Sequence, residues 1–346
     1  MNHRRLIDTH QHPIPELYKR AMAKVGIMGS GENPWADWSV ESQLELMDET
    51  GIAVAINSIA SPGAYFGDMS FAVQVARECN EWLAGLIQDH PSRFGAFALL
   101  PLPGVGEAVA EAVYALDTLK LDGICLLTHA GDRYLGHPDE HELYAELDRR
   151  KTVVFIHPLR SQAGDVPAYG YPAGMTELVV DTTRAVANLL WQGVFGKFAN
   201  IRWIMPHGAG TIPFLAYRIS AMDKKPPIRA QLSGGSVAGA LRELYYDVAE
   251  IVAPGPLRCL METTDTSHIL FGSDFPFSRH KDPAQDVRDM IANFEMFAGW
   301  SASARRDIEF DNAARLFPRL AQIGSGPKAD ESSPTQRDAA ILSPGS

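Results

Sequence analysis

Four short apolar segments, far apart in the chain, each end in a side chain that can bind a metal ion or carry a proton. They end at His12, His157, His207 and Asp274. The first segment also carries His10, and because side chains two positions apart in a β-strand project from the same face, both imidazoles can reach one ion. Apolar runs of four to eight residues bounded by Pro or Gly are typical of strands buried on both faces of a parallel sheet.

Strand-like and helix-like segments alternate along the chain, which predicts a parallel α/β architecture. Helices are predicted at residues 39–49, with Ser39 as N-cap and Gly51 as stop, and at 70–89, before Pro91. We expect eight strands, at residues 6–10, 53–59, 95–100, 122–127, 152–157, 201–206, 244–248 and 268–272. Eight strands predict a (β/α)8 TIM barrel, where the carboxyl ends of all strands open onto one pocket. In that pocket five side chains would meet: His10, His12, His157, His207 and Asp274.

Length and composition are consistent with one large catalytic domain. The chain has 346 residues, of which 46% are hydrophobic, and this exceeds the roughly 250 residues of a typical barrel by enough for long active-site loops. We therefore expect a barrel domain over residues 1–321. Residues 322–346 are rich in Gly, Ser, Pro, Lys and Asp, so we expect a disordered tail there.

Charge and cysteine content exclude several classes of function. A formal net charge of −11 argues against a nucleic-acid or anionic-membrane partner, because such binding depends on clustered Lys and Arg. The three cysteines have no C-x-x-C spacing, which argues against a disulfide framework or a thiolate metal site. No stretch approaches 18 apolar residues, so neither a transmembrane helix nor a secretory signal is expected. We therefore expect a cytoplasmic enzyme.

Two segments, 13–38 and 159–180, are longer than a compact barrel requires, and we expect both to be loops. Long loops at the catalytic face line or cover the pocket, and Trp or Tyr there can stack on an aromatic substrate. The candidates for substrate contact are Trp35, Trp38, Tyr169 and Tyr171, with packing against the scaffold as the alternative for each. Residues 176–199 form an apolar helical stretch that must be buried, either in its own subunit or against a partner.

Several segments together resemble a known family. They are Ile7-Asp8-Thr9-His10-Gln11-His12, Asp122-Gly123-Ile124-Cys125-Leu126-Leu127-Thr128, Arg133-Tyr134-Leu135-Gly136-His137-Pro138, Glu146-Leu147-Asp148-Arg149-Arg150, Val154-Phe155-Ile156-His157-Pro158, Asp181-Thr182-Thr183-Arg184-Ala185, and Ile269-Leu270-Phe271-Gly272-Ser273-Asp274-Phe275-Pro276. In this order they resemble the metal-dependent amidohydrolase superfamily. The similar branch contains aminocarboxymuconate-semialdehyde decarboxylase and the 2-hydroxybenzoate-type decarboxylases that act on 6-methylsalicylate or gamma-resorcylate.

The resemblance implies one divalent transition metal held by His10, His12, His157 and Asp274. Such nitrogen and oxygen ligands suit Zn²⁺, which we expect first, and also Mn²⁺, Fe²⁺ or Co²⁺. His207 would stand beside the metal as an acid/base or as a hydrogen-bond donor. The fourth strand ends without the lysine that bridges two metals in hydrolytic relatives, so a mononuclear site is expected. The resemblance also implies a homodimer.

Two departures from the family pattern qualify the resemblance. Several 2-hydroxybenzoate-type decarboxylases carry Glu at the position of His10, so the His-x-His pair is closer to the semialdehyde decarboxylase pattern. Pro206 precedes His207 where the family usually has a small polar residue. We therefore expect an adjusted backbone around His207.

The expected activity is non-oxidative decarboxylation of a small aromatic or conjugated carboxylic acid, such as a methylsalicylate. The substrate carbon needs a proton, which Asp274 can deliver directly or His207 can supply through a water. Arg133, Arg184 and Arg279 are candidates to clamp a carboxylate, with a structural salt bridge as the alternative. The same metal could instead activate water in a hydrolase of a lactone, ester or amide. A catalytically silent metal-binding protein is a third reading, which the five polar positions disfavour.

Overall fold

Eight parallel strands follow one another around a barrel in the order of the sequence. The computed structural model describes residues 5–30, 33–131, 133–160, 173–277 and 282–320. The strands are β1 (Leu6–Gln11), β2 (Ile52–Ser58), β3 (Phe94–Leu99), β4 (Gly123–Leu127), β5 (Val153–His157), β6 (Arg202–Met205), β7 (Tyr245–Asp247) and β8 (Ile269–Leu270). All eight predicted strands are present, and each end lies within two residues of its predicted position.

The barrel closes between β1 and the chain that follows β8. The Thr9 amide donates to the Phe271 carbonyl at 3.0 Å, and the His12 amide donates to the Phe275 carbonyl at 2.7 Å. In return, the Asp274 amide donates to the His10 carbonyl at 2.8 Å. These bonds join the His-x-His segment directly to the Gly-Ser-Asp segment, so the predicted TIM barrel is confirmed and its two most distant motifs become neighbours.

Helices cover the outside of the barrel and connect its strands. They are α1 (Glu16–Lys24), α2 (Val40–Thr50), α3 (Met69–Asp89), α4 (Val105–Val113), α5 (His141–Arg149), α6 (Glu177–Trp191), α7 (Val194–Lys197), α8 (Ile212–Ile219), α9 (Pro226–Arg229), α10 (Val237–Arg242), α11 (Pro254–Thr263), α12 (Pro283–Met296), α13 (Ala302–Arg306) and α14 (Asn312–Leu316). Two short antiparallel pairs lie in loops, Gly29–Ser30 with Asn33–Pro34 and His129–Ala130 with Arg133–Tyr134.

The predicted helix boundaries were confirmed closely. Ser39 caps α2 in a capping box with Ser42, and Gly51 ends the helix in the left-handed region at φ 76°. The longer helix α3 begins one residue before the prediction, because the side chain of Asp68 accepts hydrogen bonds from the amides of Ser70 and Phe71.

One loop expectation was wrong. Residues 13–38 contain the helix α1, which follows Pro15 and buries Tyr18, Ala21 and Met22. These three positions recur at the spacing of one helix face, so their burial, with α1 packed against α3, stabilises a helix where the flanking Gly and Pro residues suggested a loop. Part of the second long segment, residues 161–172 with Tyr169 and Tyr171, lies outside the described residues.

Two clusters of buried apolar side chains form the core. One lies between the barrel and its helices. The other fills the barrel with side chains such as Ile56, Phe97, Phe155 and Leu270, and residues of the C-terminal helical segment, including Phe317, extend it. Such interior packing makes the barrel a solid support rather than a pore, so the strand ends hold their side chains in fixed positions.

The apolar stretch 176–199 forms α6 and α7, and much of α6 is buried against its own chain. That burial does not require a partner, so the predicted homodimer has no support from this helix. Among the described residues, no helix is long and apolar enough to cross a membrane. The tail at 322–346 lies outside the described residues, and the domain boundary at 321 stays a prediction.

Candidate metal centre and active site

Four of the five predicted site residues gather at the carboxyl ends of β1, β5 and β8. One ligand atom from each of His10, His12, His157 and Asp274 lies within 4.8 Å of the others. Asp274 Oδ1 is 3.2 Å from His10 Nε2 and 3.0 Å from His12 Nε2. All three histidines are at least 97% buried. The four positions predicted from strand ends thus form one compact group of three imidazoles and a carboxylate.

The Nδ1 atom of each histidine in the group is engaged by an oxygen behind it. His10 Nδ1 lies 2.8 Å from Asp247 Oδ2, His12 Nδ1 lies 2.9 Å from the Ser58 carbonyl, and His157 Nδ1 lies 2.9 Å from the Pro158 carbonyl. A carbonyl or carboxylate can only accept, so each Nδ1 carries a proton, and each Nε2 offers its lone pair when the ring is neutral. Backing of this kind fixes the ring and raises its basicity toward a metal.

The residues fit a divalent transition metal. Buried polar atoms are normally hydrogen-bonded, yet His10 Nε2, His12 Nε2 and Asp274 Oδ1 have no hydrogen-bond partner within the part of the chain that the structure describes. These are the atoms that converge. Three imidazole nitrogens and one carboxylate oxygen form a donor set that suits Zn²⁺ or Mn²⁺ and leaves room for a further ligand.

The electrostatics of the group depend on which carboxylates face each ring. Burial opposes a charge on His10, but Asp247 and Asp274 together outweigh it and raise the pKa of His10 to about 10 before any ion binds. Burial lowers the pKa of His12, and it lowers the pKa of His157 well below its usual value. Burial would raise the pKa of Asp274, but the surrounding histidines hold it well below its usual range. Asp274 is therefore an anion, ready to accept a cation.

His207 faces the second carboxylate oxygen of Asp274, and its ring centroid lies 5.1 Å from that of His10. Its Nε2 is 3.3 Å from Asp274 Oδ2, while Asp274 Oδ1 faces His10 and His12. The expected backbone adjustment is present, because His207 adopts left-handed angles, φ 52° and ψ 40°. Asp274 also has a positive φ, 64°. Residues whose backbone is held in this sparsely populated φ/ψ region are common where a site requires an exact side-chain orientation.

Gly272 allows three strands to meet at the site. A Cβ atom at this position would lie 2.9 Å from the Cβ of His10 and 3.0 Å from the Cβ of Asp247. The absence of a side chain therefore lets β8 approach β1 and β7 closely enough for Asp274 to reach both histidines of the first motif.

Asp247 is a site residue that the sequence interpretation missed. It is fully buried at the end of β7, and besides His10 it accepts the His207 amide at 2.9 Å and the Ala249 amide at 3.1 Å through Oδ1. It thus supports a candidate ligand and the candidate acid/base residue together. The sequence did contain a signal for Asp247, because it is a carboxylate near the end of the predicted strand 244–248, just as the candidate ligands lie at strand ends.

Among the residues predicted to contact substrate, the two tryptophans pack on neighbouring aromatic side chains and two of the arginines are exposed. Trp35 is half-buried and packs edge-on against Tyr18 with ring centroids 5.9 Å apart, and Trp38 packs on Trp82. Arg184 is exposed on α6, and Arg133 forms an ion pair with Asp139. Substrate contact by Trp35 and Arg184 stays a prediction. Tyr171 and Arg279 lie outside the described residues.

Comparisons with known proteins agree with this geometry. The family model described as amidohydrolase matches residues 7–319. The chain is 32% identical over 323 residues to a 6-methylsalicylic acid decarboxylase of Penicillium expansum, covering 92% of this chain and 97% of the relative. It is 34% identical over 328 residues to a 6-methylsalicylic acid decarboxylase of Aspergillus aculeatus, covering 91% and 96%.

A solved structure is also similar. It is a dihydroxybenzoic acid decarboxylase from Polaromonas sp. JS666 with bound manganese and the inhibitor 2-nitroresorcinol. The match has a TM-score of 0.74 and 20% identity, and it covers 92% of this chain and 97% of that one. At this identity the likeness concerns the fold, a TIM barrel shared with that decarboxylase.

Proposed function

Because the chain belongs to the amidohydrolase family, we propose that it is a metal-dependent, non-oxidative decarboxylase of a 2-hydroxybenzoate, with 6-methylsalicylate as the first candidate substrate. The observation that carries the proposal is the convergence of His10, His12, His157 and Asp274, in which His10 Nε2, His12 Nε2 and Asp274 Oδ1 are buried without hydrogen-bond partners among the described residues. The names of the two fungal relatives support the choice of reaction.

His10, His12, His157 and Asp274 would hold one divalent ion. The ion, Zn²⁺ or Mn²⁺, would bind the substrate carboxylate and its neighbouring hydroxyl and so hold the ring against the protein side chains. Manganese in the similar Polaromonas enzyme supports Mn²⁺, and the imidazole-rich donor set supports Zn²⁺. Neither metal is favoured by the geometry of this chain alone.

The chain's own residues would then move one proton. Asp274 Oδ2 faces His207 Nε2 at 3.3 Å, so a proton can pass between them. Asp274 delivers that proton to the ring carbon that bears the carboxylate, and the bond to the carboxylate breaks. The electron pair of the broken carbon–carbon bond stays with the ring, and carbon dioxide leaves. His207 then recovers a proton from water, so the net reaction consumes one proton and releases one carbon dioxide.

A small cavity lined by both polar and apolar side chains is the candidate site for an alkyl substituent on the ring. The cavity has a volume of about 30 Å³, which is room for a methyl-sized group, since a single water needs roughly 10–15 Å³. Ala64, Leu100 and Leu102 contribute to its wall, as do Cys125 and Leu127.

The same wall leads back to the metal group. Leu127 pairs with His157 in the sheet. A ring held at the metal group would therefore have this cavity within reach of one of its substituents.

An assay on a panel of carboxylic acids tests the reaction. Purified protein loaded with Mn²⁺ or Zn²⁺ is incubated with 6-methylsalicylate, salicylate, 2,6-dihydroxybenzoate and a set of aryl lactones, esters and amides. We expect release of carbon dioxide from the hydroxybenzoates and formation of the matching phenol. Hydrolysis of a lactone, ester or amide with no release of carbon dioxide would support the alternative enzyme class instead.

Filling the cavity tests the choice of substituent. Ala64→Val should lower kcat/KM for 6-methylsalicylate by about 10-fold or more and leave salicylate largely unaffected, because one misplaced methyl in an apolar pocket is worth about 1–3 kcal/mol. Ala304→Val, at a buried position on α13, is the matched control. Equal losses for both substrates would refute the alkyl pocket while leaving decarboxylation standing.

The chain is further proposed to act as a cytoplasmic homodimer. Two aromatic side chains of α8, Phe214 and Tyr217, are 81% and 93% exposed, which is unusual for residues of this size and offers a surface for a second copy. Light scattering after size-exclusion chromatography gives the mass, and Phe214→Ser with Tyr217→Ser should shift a dimer to a monomer. A monomeric wild-type protein at assay concentration would remove this part of the proposal.

A further inference from the structure

Behind His157 lies a buried chain of hydrogen bonds that ends in a carboxylate. His157 Nδ1 donates to the Pro158 carbonyl at 2.9 Å, and the Leu159 amide donates to Thr128 Oγ1 at 3.0 Å. The Thr128 hydroxyl in turn donates to Asp181 Oδ2. Thr128 and Asp181 are fully buried.

The Pro158 carbonyl and the Leu159 amide belong to the same peptide group. That group is planar, so a bond that fixes its N–H also fixes the direction of its carbonyl. Thr128 therefore sets the position of the oxygen that His157 binds. Hydrogen bonds in series also polarise one another, so the negative charge of Asp181 makes the carbonyl at the other end a stronger acceptor.

The other two candidate ligands show what this chain adds. His10 has a carboxylate directly behind it, Asp247 at 2.8 Å, and His12 has the carbonyl of Ser58. His157 has a carbonyl within reach, and Thr128 and the peptide connect that carbonyl to a carboxylate.

The surroundings of Asp181 indicate a role beyond holding α6 in place. It also accepts the hydroxyl of Tyr134, and His129 Nε2 lies 3.9 Å from its Oδ2. A carboxylate is costly to bury, and a shorter apolar side chain would fill the same space at lower cost. Two hydroxyl donors stabilise it in the buried position, and one of them, Thr128, is linked by hydrogen bonds to the metal group.

We propose that Asp181 and Thr128 are positioning residues that orient His157 and strengthen it as a metal ligand through the peptide between Pro158 and Leu159. This proposal rests on the proposed metal centre. It assigns to the Asp181-Thr128 pair a role in metal affinity, in addition to any role in holding α6 against β4.

Three variants and a control separate the role in metal binding from ordinary packing. Thr128→Val keeps the shape of the side chain and removes the hydroxyl, while Thr128→Ser keeps the hydroxyl. Asp181→Asn keeps the shape of the side chain, removes the charge, and replaces one of the two accepting oxygens with an NH₂ donor. The matched control is Thr182→Val, because Thr182 is buried beside Asp181 and its hydroxyl donates to the Leu178 carbonyl within α6.

The readouts are the dissociation constants of Zn²⁺ and Co²⁺, and the visible absorption of the Co²⁺ form. Thr128→Val should weaken metal binding by about 10-fold or more, as removal of a group behind a ligand usually does. Thr128→Ser should restore it, Asp181→Asn should lie between, and Thr182→Val should match wild type. The Co²⁺ spectrum should shift in Thr128→Val and Asp181→Asn only, because it reports the strength of the ligand field.

Folding of each variant is checked by its cooperative unfolding. If Thr128→Val does not fold, Asp181→Asn carries the test, and wild-type affinity with an unshifted Co²⁺ spectrum in that variant overturns the proposal. The same result in a folded Thr128→Val also overturns it, as does a loss of metal in Thr182→Val equal to that in Thr128→Val.

A measurement without metal keeps this proposal separate from the metal centre. The ¹⁵N chemical shifts of the His157 ring report the hydrogen bond at Nδ1 and should change in Thr128→Val and return in Thr128→Ser. If wild-type protein binds no metal, the proposed function fails. Unchanged ring shifts in Thr128→Val would show in addition that the chain of hydrogen bonds does not reach His157.

Discussion

Asp247→Asn is the substitution that most sharply tests the proposed roles around the metal group. The native carboxylate accepts two backbone amides through Oδ1, those of His207 and Ala249, and binds His10 Nδ1 through Oδ2 at 2.8 Å. Asparagine has the same shape. Because two N–H donors point at the Oδ1 position, its oxygen must stay there, and its NH₂ group must face His10.

The consequence for His10 is a change of tautomer. An NH₂ group can only donate, so His10 Nδ1 must accept and the ring proton moves to Nε2, the atom proposed to bind metal. Loss of such a backing carboxylate typically costs 10- to 100-fold in metal affinity, about 1.4–2.7 kcal/mol. The backbone bonds to Oδ1 persist, so we expect the fold to remain and the loss to be local.

The assay combines chelator competition for Zn²⁺ with turnover at saturating metal. Asp122→Asn serves as the matched control, because Asp122 is a largely buried carboxylate that binds the Ala96 amide and Arg319 just before β4 begins, at the opposite end of the barrel. We expect weaker metal binding and lower turnover for Asp247→Asn only. Metal affinity and turnover equal to wild type in a folded Asp247→Asn protein would refute the reasoning from tautomers.

Three further outcomes are expected. Metal binding at pH 7 should release about one proton per ion in calorimetry, because the pKa of His10 is raised to about 10 while the other two histidines are already neutral. Metal affinity should therefore rise with pH up to about pH 10. Release of no proton would contradict this assignment. His207→Ala should keep its metal and lose turnover by roughly 10²-fold or more, whereas Asp274→Ala should lose both, and the reverse pattern would exchange their roles. Truncation after Ala321 should leave cooperative unfolding and turnover intact, since the tail has too little apolar area to offset the entropy of ordering; loss of either would show that the tail docks on the barrel.

The positions of the candidate ligands could be predicted because each one terminates a short apolar strand. In a parallel barrel the carboxyl ends of the strands meet at one face, so His10, His157 and Asp274 converge although up to 264 positions separate them. The boundaries of α2 followed from local chemistry, the hydroxyl of Ser39 and the left-handed Gly51.

The residues that hydrogen-bond to the candidate ligands could not be paired with them from the positions of strand ends. Asp247 stands 237 positions from His10, and Ser58 stands 46 from His12, so their pairing depends on strand register and on the close approach at Gly272. Neither residue belongs to a recognisable motif. The helix α1 was missed for a related reason, since its short apolar face is stabilised by packing against α3, which the local sequence does not reveal.

Titration of metal-free protein with Mn²⁺ or Zn²⁺, while carbon dioxide release from 6-methylsalicylate is followed, tests the central claim most directly. Four ligands around one position predict that turnover is absent without metal and rises linearly to a plateau at about one ion per chain. Full activity in exhaustively chelated protein, or a plateau reached only at two tightly bound ions per chain, would contradict the account.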